Sequence, residues 1–307
     1  MEEKDYELVI VEENDELLRL DKYLAQSFSD ISRSRFQKMI EDKKVLVNGI
    51  VPKSKYIVKP ADEIYITNEP PKEIELIPED IPLDIIYEDS DVIIVNKPKQ
   101  MVVHPAPGHE SGTLVNALMY HCKDLSGING EIRPGIVHRI DMNTTGSLIV
   151  CKNDKAHNII AEQIKVHSVN RIYYGIVHGV IKEDNGIIDA AIGRSVKDRK
   201  KMAIDKQHGR NAITHYTVLK RSDKYSLVEF KLETGRTHQI RVHMASIGHP
   251  LLGDDVYGPD KCPVKGLIGQ TLHAKIIGFN HPSTSEYVEF SAPLPDYFNK
   301  LITDLFE

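Results

Sequence analysis

Between Gly135 and Asn153 the chain reads GIVHRIDMNTTGSLIVCKN, which puts His138, Arg139 and Asp141 in one short polar turn. An apolar approach, Gly135-Ile136-Val137, and an apolar run, Ser147 to Val150, predict a strand on either side. A carboxylate separated from a guanidinium by one residue, between two strands, is a way of holding an acid in place. It also fits a solvated surface turn. A protein-kinase catalytic loop contains His-Arg-Asp too, but its spacing differs, and the sequence has neither the Gly-rich loop nor the Asp-Phe-Gly element that go with it.

A second dense stretch is Leu232–Gly258, LETGRTHQIRVHMASIGHPLLGDDVYG. Thr234 or Thr237 can cap a helix carrying His238, Arg241 and His243, with Gly248 at its C-terminal end. His238 and Arg241 lie about one turn apart and share a face. The two histidines are not at H-E-x-x-H spacing and have no carboxylate between them, so no metal site is expected. Asp254 and Asp255 follow a glycine in a turn and read as structural. A third stretch, Arg171 to Val177, puts Arg171 and Tyr173 on one face of a strand.

Net charge is -6 over 307 residues, but the charge is unevenly spread. Residues 1–18 carry eight acids against one lysine. Residues 194–210 carry seven bases against two acids, and residues 33–44 five against two. Two basic patches on an acidic chain permit RNA binding without demonstrating it. Cys122, Cys151 and Cys262 are odd in number and far apart, which excludes a disulfide framework and a CxxC metal site. No stretch has the roughly 20 apolar residues of a membrane span. The acidic N-terminus is unlike a signal peptide. A cytoplasmic protein is expected.

Residues 16–67 read as a small α+β module. Leu17, Leu18, Leu20, Tyr23 and Leu24 recur at helical spacing within 16–28. Ser32-Arg33-Ser34 can cap a second helix over 35–42. Val45-Leu46-Val47 runs as a strand into an Asn48-Gly49 turn, and 57–66 supplies more strand. Residues 68–84, with four prolines and six acids, read as an extended linker. From 85 to 307 strands dominate. Helices are predicted over 113–121, 154–166 and 295–306, and a hairpin over 215–220 and 225–232. Many strands without regular βα alternation predict an α+β fold with a mainly antiparallel mixed sheet.

The N-terminal module resembles the S4 RNA-binding domain through R-L-D-K-Y-L at 19–24, S-R-S-R at 32–35 and V-L-V-N-G at 45–49. Two departures are Lys43, where Gly is usual before the strand, and Pro60-Ala61-Asp62 in place of a Gly-Asp turn. Residues 85–300 resemble the RluA-type pseudouridine synthases, close to the RluD-type members that act on large-subunit ribosomal RNA and carry an N-terminal S4 domain. The match runs through V-N-K-P at 95–98, V-V-H-P-A-P-G at 102–108, S-G-T-L-V-N-A-L at 111–118 and G-I-V-H-R-I-D at 135–141. It continues through R-x-Y at 171–173, T-G-R-T-H-Q-I-R-V-H at 234–243 and G-H-P-L-L-G-D at 248–254. Beside the Asp, Met142-Asn143-Thr144-Thr145-Gly146-Ser147 stands where the family more often has Lys-Asp-Thr-Ser-Gly-Leu.

The resemblance implies an isomerase that turns uridine in RNA into pseudouridine without a cofactor. It assigns Asp141 as the essential carboxylate, acting on the ribose either at C1′ or by taking a C2′ proton. Arg241 is its partner and Tyr173 the tyrosine that stacks on uracil. Arg139 enters the space vacated by a flipped-out uridine. His138, Thr145 and His238 are further candidates for substrate contact. Arg33, Arg35 and Lys38 of the S4 helices, with Lys200 and Lys201, would meet RNA phosphates. The expected partner is ribosomal RNA, most directly that of the large subunit, met by a monomer. Two other readings remain. One is a catalytically silent ribosome-assembly factor. The other is a nucleoside or glycoside hydrolase, for which a second carboxylate is wanted.

Overall fold

The protein is described from a computed structural model, which covers residues 6–12, 18–28, 33–53, 55–67, 76–106, 108–122, 125–126, 134–195, 198 and 201–307. The chain divides into two compact units, Met1–Glu73 and Ile74–Glu307.

In the first unit two helices, α1 (Leu20–Ser27) and α2 (Arg33–Glu41), pack on a three-stranded antiparallel sheet. Its strands are β1 (Tyr6–Ile10), β2 (Val45–Val47) and β3 (Glu63–Thr67), in the order β1-β3-β2. The helical spacing seen in the sequence is what fills the core: Leu20, Tyr23 and Leu24 face Phe36, Met39 and Ile40. β1 begins ten residues before the expected start of the module. β3 begins only at Glu63, because Pro60 lacks a donor N–H and Ala61 turns the chain through a left-handed conformation (φ 64°). Lys43 is left-handed too (φ 59°), in the position where a glycine was the expected residue. Asn48 and Gly49 both have positive φ, as a two-residue type I′ turn requires.

In the second unit a nine-stranded sheet carries the rest of the chain. Its strands are β4 (Ile85–Glu88), β5 (Val92–Lys97), β6 (Thr145–Cys151), β7 (Asn170–His178), β8 (Asn185–Asp189), β11 (Ile213–Arg221), β12 (Tyr225–Leu232), β13 (Leu272–Asn280) and β14 (Tyr287–Ser291). The order is β4-β5-β6-β13-β7-β12-β11-β8, with β14 also paired to β13. Among the described strands only β6 and β13 run parallel. A separate ribbon, β9 (Ile192–Arg194) and β10 (Met202–Ile204), flanks the basic stretch. The helices are α3 (Leu114–His121), α4 (Asp154–Lys165), α5 (Gln239–Ser246) and α6 (Asp296–Phe306).

Helices cover both faces of the sheet, which is why β5 reads as an unbroken apolar run. Ile93 and Val95 face Leu114, Leu118 and Ile240 on one side. Val92 and Ile94 face Ala156 and Ile160 on the other. Toward the far edge α6 packs Phe298 and Leu301 on Ile176 and Leu227. The parallel contact of β6 with β13 depends on Gly146. Its φ is +105°, and a Cβ there would collide with the Ala274 backbone.

Residues 76–84, expected as linker, fall within the second unit. Leu76 and Leu83 pack on its main core, and Asn116 Nδ2 donates to Ile77 O at 2.8 Å. The approach expected as a strand at 135–137 forms only an isolated bridge, Ile136 to Val150. No helix among the described residues is long and apolar enough to cross a membrane.

Candidate active site

The three chemically suggestive stretches converge on one cavity of about 390 Å³, in the range of roughly 300–1,000 Å³ usual for small-ligand sites. The turn 137–141 and Thr144 form one wall. Arg171 and Tyr173 come from β7, and Leu272 from the start of β13. Gly235, Arg236, His238 and Arg241 come from the loop before α5 and from α5 itself.

Asp141 lies where the turn enters β6, with its side chain 19% exposed. Arg241 Nη1 donates to its Oδ2 at 3.1 Å. The rest of that guanidinium is committed elsewhere: Nε and Nη2 donate to the two oxygens of Asp254 at 2.7 and 2.9 Å. Asp254 Oδ1 also accepts the backbone N–H groups of Val256 and Tyr257, both at 3.0 Å. Burial works against the charge on Arg241, but the two carboxylates outweigh it and raise its pKa. Burial likewise pushes Asp254 up, and the hydrogen bonds and charge of Arg241 bring it below the usual carboxylate range. The result is a chain Asp141–Arg241–Asp254 in which Arg241 has one orientation and so fixes that of Asp141. Asp254 therefore does more than close a turn. The clue in the sequence is the fork of Arg241, whose donors outnumber what one carboxylate can accept.

Lys97, from the V-N-K-P motif, is fully buried. Its Nζ donates to the carbonyls of Pro98 (2.7 Å), Met101 (2.8 Å) and Met142 (3.1 Å). Burial pushes Lys97 down to about 7, with the charge of Asp141 pulling the other way. Three carbonyls take the three protons of an ammonium, so the geometry is built for the charged form. Because Met142 directly follows Asp141, Lys97 pins the turn that carries the carboxylate.

His138 is turned inward. Its Nε2 accepts the N–H of Ile149 at 2.9 Å, which makes it neutral with the proton on Nδ1. Burial, assisted by the charge of Arg171, pushes its pKa down to about 3. It braces the turn against β6 and is not a proton donor at neutral pH. Arg139 is exposed at the rim of the cavity. Tyr173 is buried, and burial raises its pKa, with Arg171 lowering and Asp141 raising it. At neutral pH it is a phenol.

His238, not Thr234 or Thr237, is the N-cap of α5, in a left-handed conformation (φ 57°). Such a conformation is uncommon for a residue with a side chain. It aims Nε2 toward Asp141 Oδ1 at 3.9 Å, while Nδ1 meets Tyr257 OH at 2.9 Å. Thr234 instead donates from Oγ1 to Gln239 Oε1 at 2.8 Å. Gln239 Nε2 in turn donates to Ile213 O at 2.9 Å, tying the loop to β11.

Other candidates lie outside the cavity. Thr145 is buried, paired through Oγ1 with His273 Nδ1 at 2.8 Å, and serves the β6–β13 junction. Lys201 donates to Val256 O at 2.8 Å, which ties the basic stretch to the turn that holds Asp254. Lys200 lies outside the described residues. In the first unit Arg33, Arg35 and Lys38 are exposed on α2, and Arg33 Nε donates to buried Asp21 at 2.9 Å. Burial pushes Asp21 up, but hydrogen bonds from Gln37, Arg33 and Arg19 bring it to about 2.

One group among the described residues could hold a metal ion. Glu88, His121 and Cys122 place donor atoms within 4.8 Å of one another, and none of them lines the cavity. Both oxygens of Glu88 are taken, by His121 Nε2 at 2.8 Å and Lys152 Nζ at 2.9 Å.

The chain matches the RNA pseudouridylate synthase family over residues 91–246 and the S4 domain over residues 18–64. It is 53% identical over 287 residues to an uncharacterised RNA pseudouridine synthase of Bacillus subtilis, covering 94% of each chain. It is 45% identical to the ribosomal large subunit pseudouridine synthase D of Zymomonas mobilis, covering 90% of each. The protein of that same name in Pseudomonas aeruginosa is 41% identical, with 93% of this chain and 91% of that one covered. Among solved structures, the human RNA pseudouridylate synthase domain containing 1 superposes with a TM-score of 0.56 at 26% identity, covering 77% of this chain and 97% of that one.

Proposed function

This chain belongs to the RNA pseudouridylate synthase family, and on that premise we propose that it isomerises uridines of large-subunit ribosomal RNA with Asp141 as the essential carboxylate. The observation that carries the assignment of Asp141 is its place in the cavity. It is the carboxylate among the described residues that line the cavity, and Arg241, itself held by Asp254, aims it. A stacked base cannot reach such a group. The target uridine is flipped into the cavity, at a cost of a few kcal/mol that is smallest in loops. Arg139, at the rim, takes the vacated space. Tyr173 offers its ring to the uracil.

In the reaction the N1–C1′ bond breaks and its electron pair leaves with the uracil. C1′ takes an oxygen of Asp141, or Asp141 removes a C2′ proton to give a C1′–C2′ double bond. The uracil turns and C5 bonds to C1′, expelling the Asp141 oxygen in the first route or with the proton returned to C2′ in the second; the C5 proton then departs and N1 gains a proton. There is no net oxidation or reduction. Tyr173 is a protonated phenol, and the one free lone pair of His138 is occupied by the Ile149 N–H and made weakly basic by burial, so neither is a ready base for the C5 proton; solvent is the simplest acceptor.

The ribosomal target is supported by relatives whose names state it and that align along nearly the whole chain. Exposed bases on α2 and the basic stretch 194–210 suit phosphate contacts. The same reading places the protein with the ribosome in the cytoplasm. Mapping pseudouridine in large-subunit RNA from cells with the gene, without it, and with only the Asp141→Asn form tests the target. Sites that vanish on deletion and return only with the wild-type gene are expected. An unchanged map would leave an RNA-binding assembly factor instead.

A further inference from the structure

Two buried arginines line the cavity, and they are not alike. Arg241 meets two carboxylates. Arg171, 5% exposed, makes a single hydrogen bond to the described residues, from Nη2 to the carbonyl of Glu233 at 3.0 Å. Its Nε is buried without a partner. The Glu233 carboxylate itself turns to His215 at 2.5 Å. Among the described residues no carboxylate pairs with Arg171.

An unpaired buried cation is costly unless something else completes it. The local structure nevertheless makes room for this one. Arg171 and Tyr173 share the buried face of β7 and line the cavity together. A Cβ built on Gly235 would lie 2.6 Å from Arg171 Nη1, so the loop passes the guanidinium at a residue without a side chain. The charge is held in place, poorly hydrated, against the space where the base must sit.

We propose that Arg171 is a catalytic residue whose missing anion is the departing uracil. This rests on the reading of the cavity given above. As the N1–C1′ electron pair moves onto the base, negative charge spreads over N1, O2 and O4. The Arg171 guanidinium, which lines the cavity, meets that charge as it develops and does little for neutral uridine. A donor used chiefly in the transition state raises the rate rather than the affinity. In a water-poor pocket such a group is worth about 10²–10³ in rate. Arg241 cannot do this work, because its charge is already neutralised.

An RNA phosphate is the other anion that Arg171 could meet, and it makes a different prediction. A phosphate contact is made before and throughout the reaction, so its loss would weaken binding with little change in the rate of bound RNA.

The test is single-turnover tritium release from [5-³H]uridine-labelled RNA at saturating full-length enzyme, alongside RNA affinity and urea stability. Wild type, Arg171→Ala, Arg171→Lys and Asp141→Asn are compared. Arg171→Ala is expected to lose about 10²–10³ in rate with its RNA affinity unchanged. Methylguanidinium should restore part of that rate in Arg171→Ala, and methylammonium less. Arg171→Lys should keep the fold and remain slow, since it lacks the planar fork. A folded Arg171→Ala or Arg171→Lys at the wild-type rate would overturn the proposal. So would loss of affinity at an unchanged bound rate, which would make Arg171 a phosphate anchor. If Asp141→Asn is active, the reading of the site fails; if Asp141→Asn is inactive and both Arg171 variants are fast, only this proposal does.

Discussion

Replacing Asp254 by Asn removes one charge and little else. The Asn oxygen, in the place of Oδ1, can still accept the Val256 and Tyr257 N–H groups and Arg241 Nη2, but an NH2 group then opposes Arg241 Nε and the guanidinium loses its buried counter-charge. The Asp254 side chain is 0% exposed and that of Arg241 6%, so water cannot step in. Breaking a buried pair from one side costs about 3–5 kcal/mol. That is a large part of the 5–15 kcal/mol by which a domain is typically stable. Arg241 also loses its fixed orientation, so the rate at Asp141 falls as well. The measurement is urea unfolding of the full chain with single-turnover tritium release beside it. Adding Arg241→Met to Asp254→Asn should recover part of the stability, because no unpaired charge is left, and none of the activity. A cost below about 1 kcal/mol for Asp254→Asn, or a further additive loss in the double variant, would refute the reasoning.

Three other outcomes are expected. His138 and His273 have pKa values pushed by burial to about 3 and about 4, against 6.5 unfolded. Below pH 6.5 the unfolded chain therefore binds protons that the native state refuses. Each histidine should cost about 1.4 kcal/mol by pH 5.5, and a flat urea stability between pH 7.5 and 5.5 would contradict this. Lys97→Met leaves the carbonyls of Pro98, Met101 and Met142 without their donor. At least about 2 kcal/mol of stability should go, together with much of the activity as the Asp141 turn loosens; wild-type urea stability and rate would show that the pin is dispensable. Lys43→Gly relieves a left-handed residue and should stabilise the chain by up to about 1 kcal/mol, whereas thermal destabilisation would mean that the lysine makes an offsetting contact.

The elements that carry strong periodicity were legible in the sequence. α4 follows its expected span because Asn153 caps it at Ala156 N and an amphipathic pattern continues from there. β5 is an unbroken apolar run because both of its faces are covered. The grouping of Asp141, Tyr173 and Arg241 around one cavity came from motifs, not from spacing, since 100 residues separate the first from the last. What the sequence did not disclose is which groups are already engaged. Thr145 looks like a loop residue, and only the β6–β13 contact shows that it faces His273. His238 looks like a helical residue, yet it stands at the helix entrance in a left-handed conformation. Asp254 and Lys97 act on the turn and on Arg241 through tertiary contacts that no local pattern encodes. The start of β3 was misplaced for the opposite reason, because a local turn at Pro60-Ala61 overrides the strand pattern.

Asp141 is proposed to act on the ribose, with Arg241 aiming it and Arg171 meeting the charge of the departing base. Single-turnover tritium release from [5-³H]uridine-labelled large-subunit RNA by Asp141→Asn, beside its RNA affinity, tests this most directly. The variant is nearly isosteric and keeps an oxygen for Arg241. It should bind RNA as wild type does and release no tritium. Release at the wild-type rate would place the essential carboxylate elsewhere.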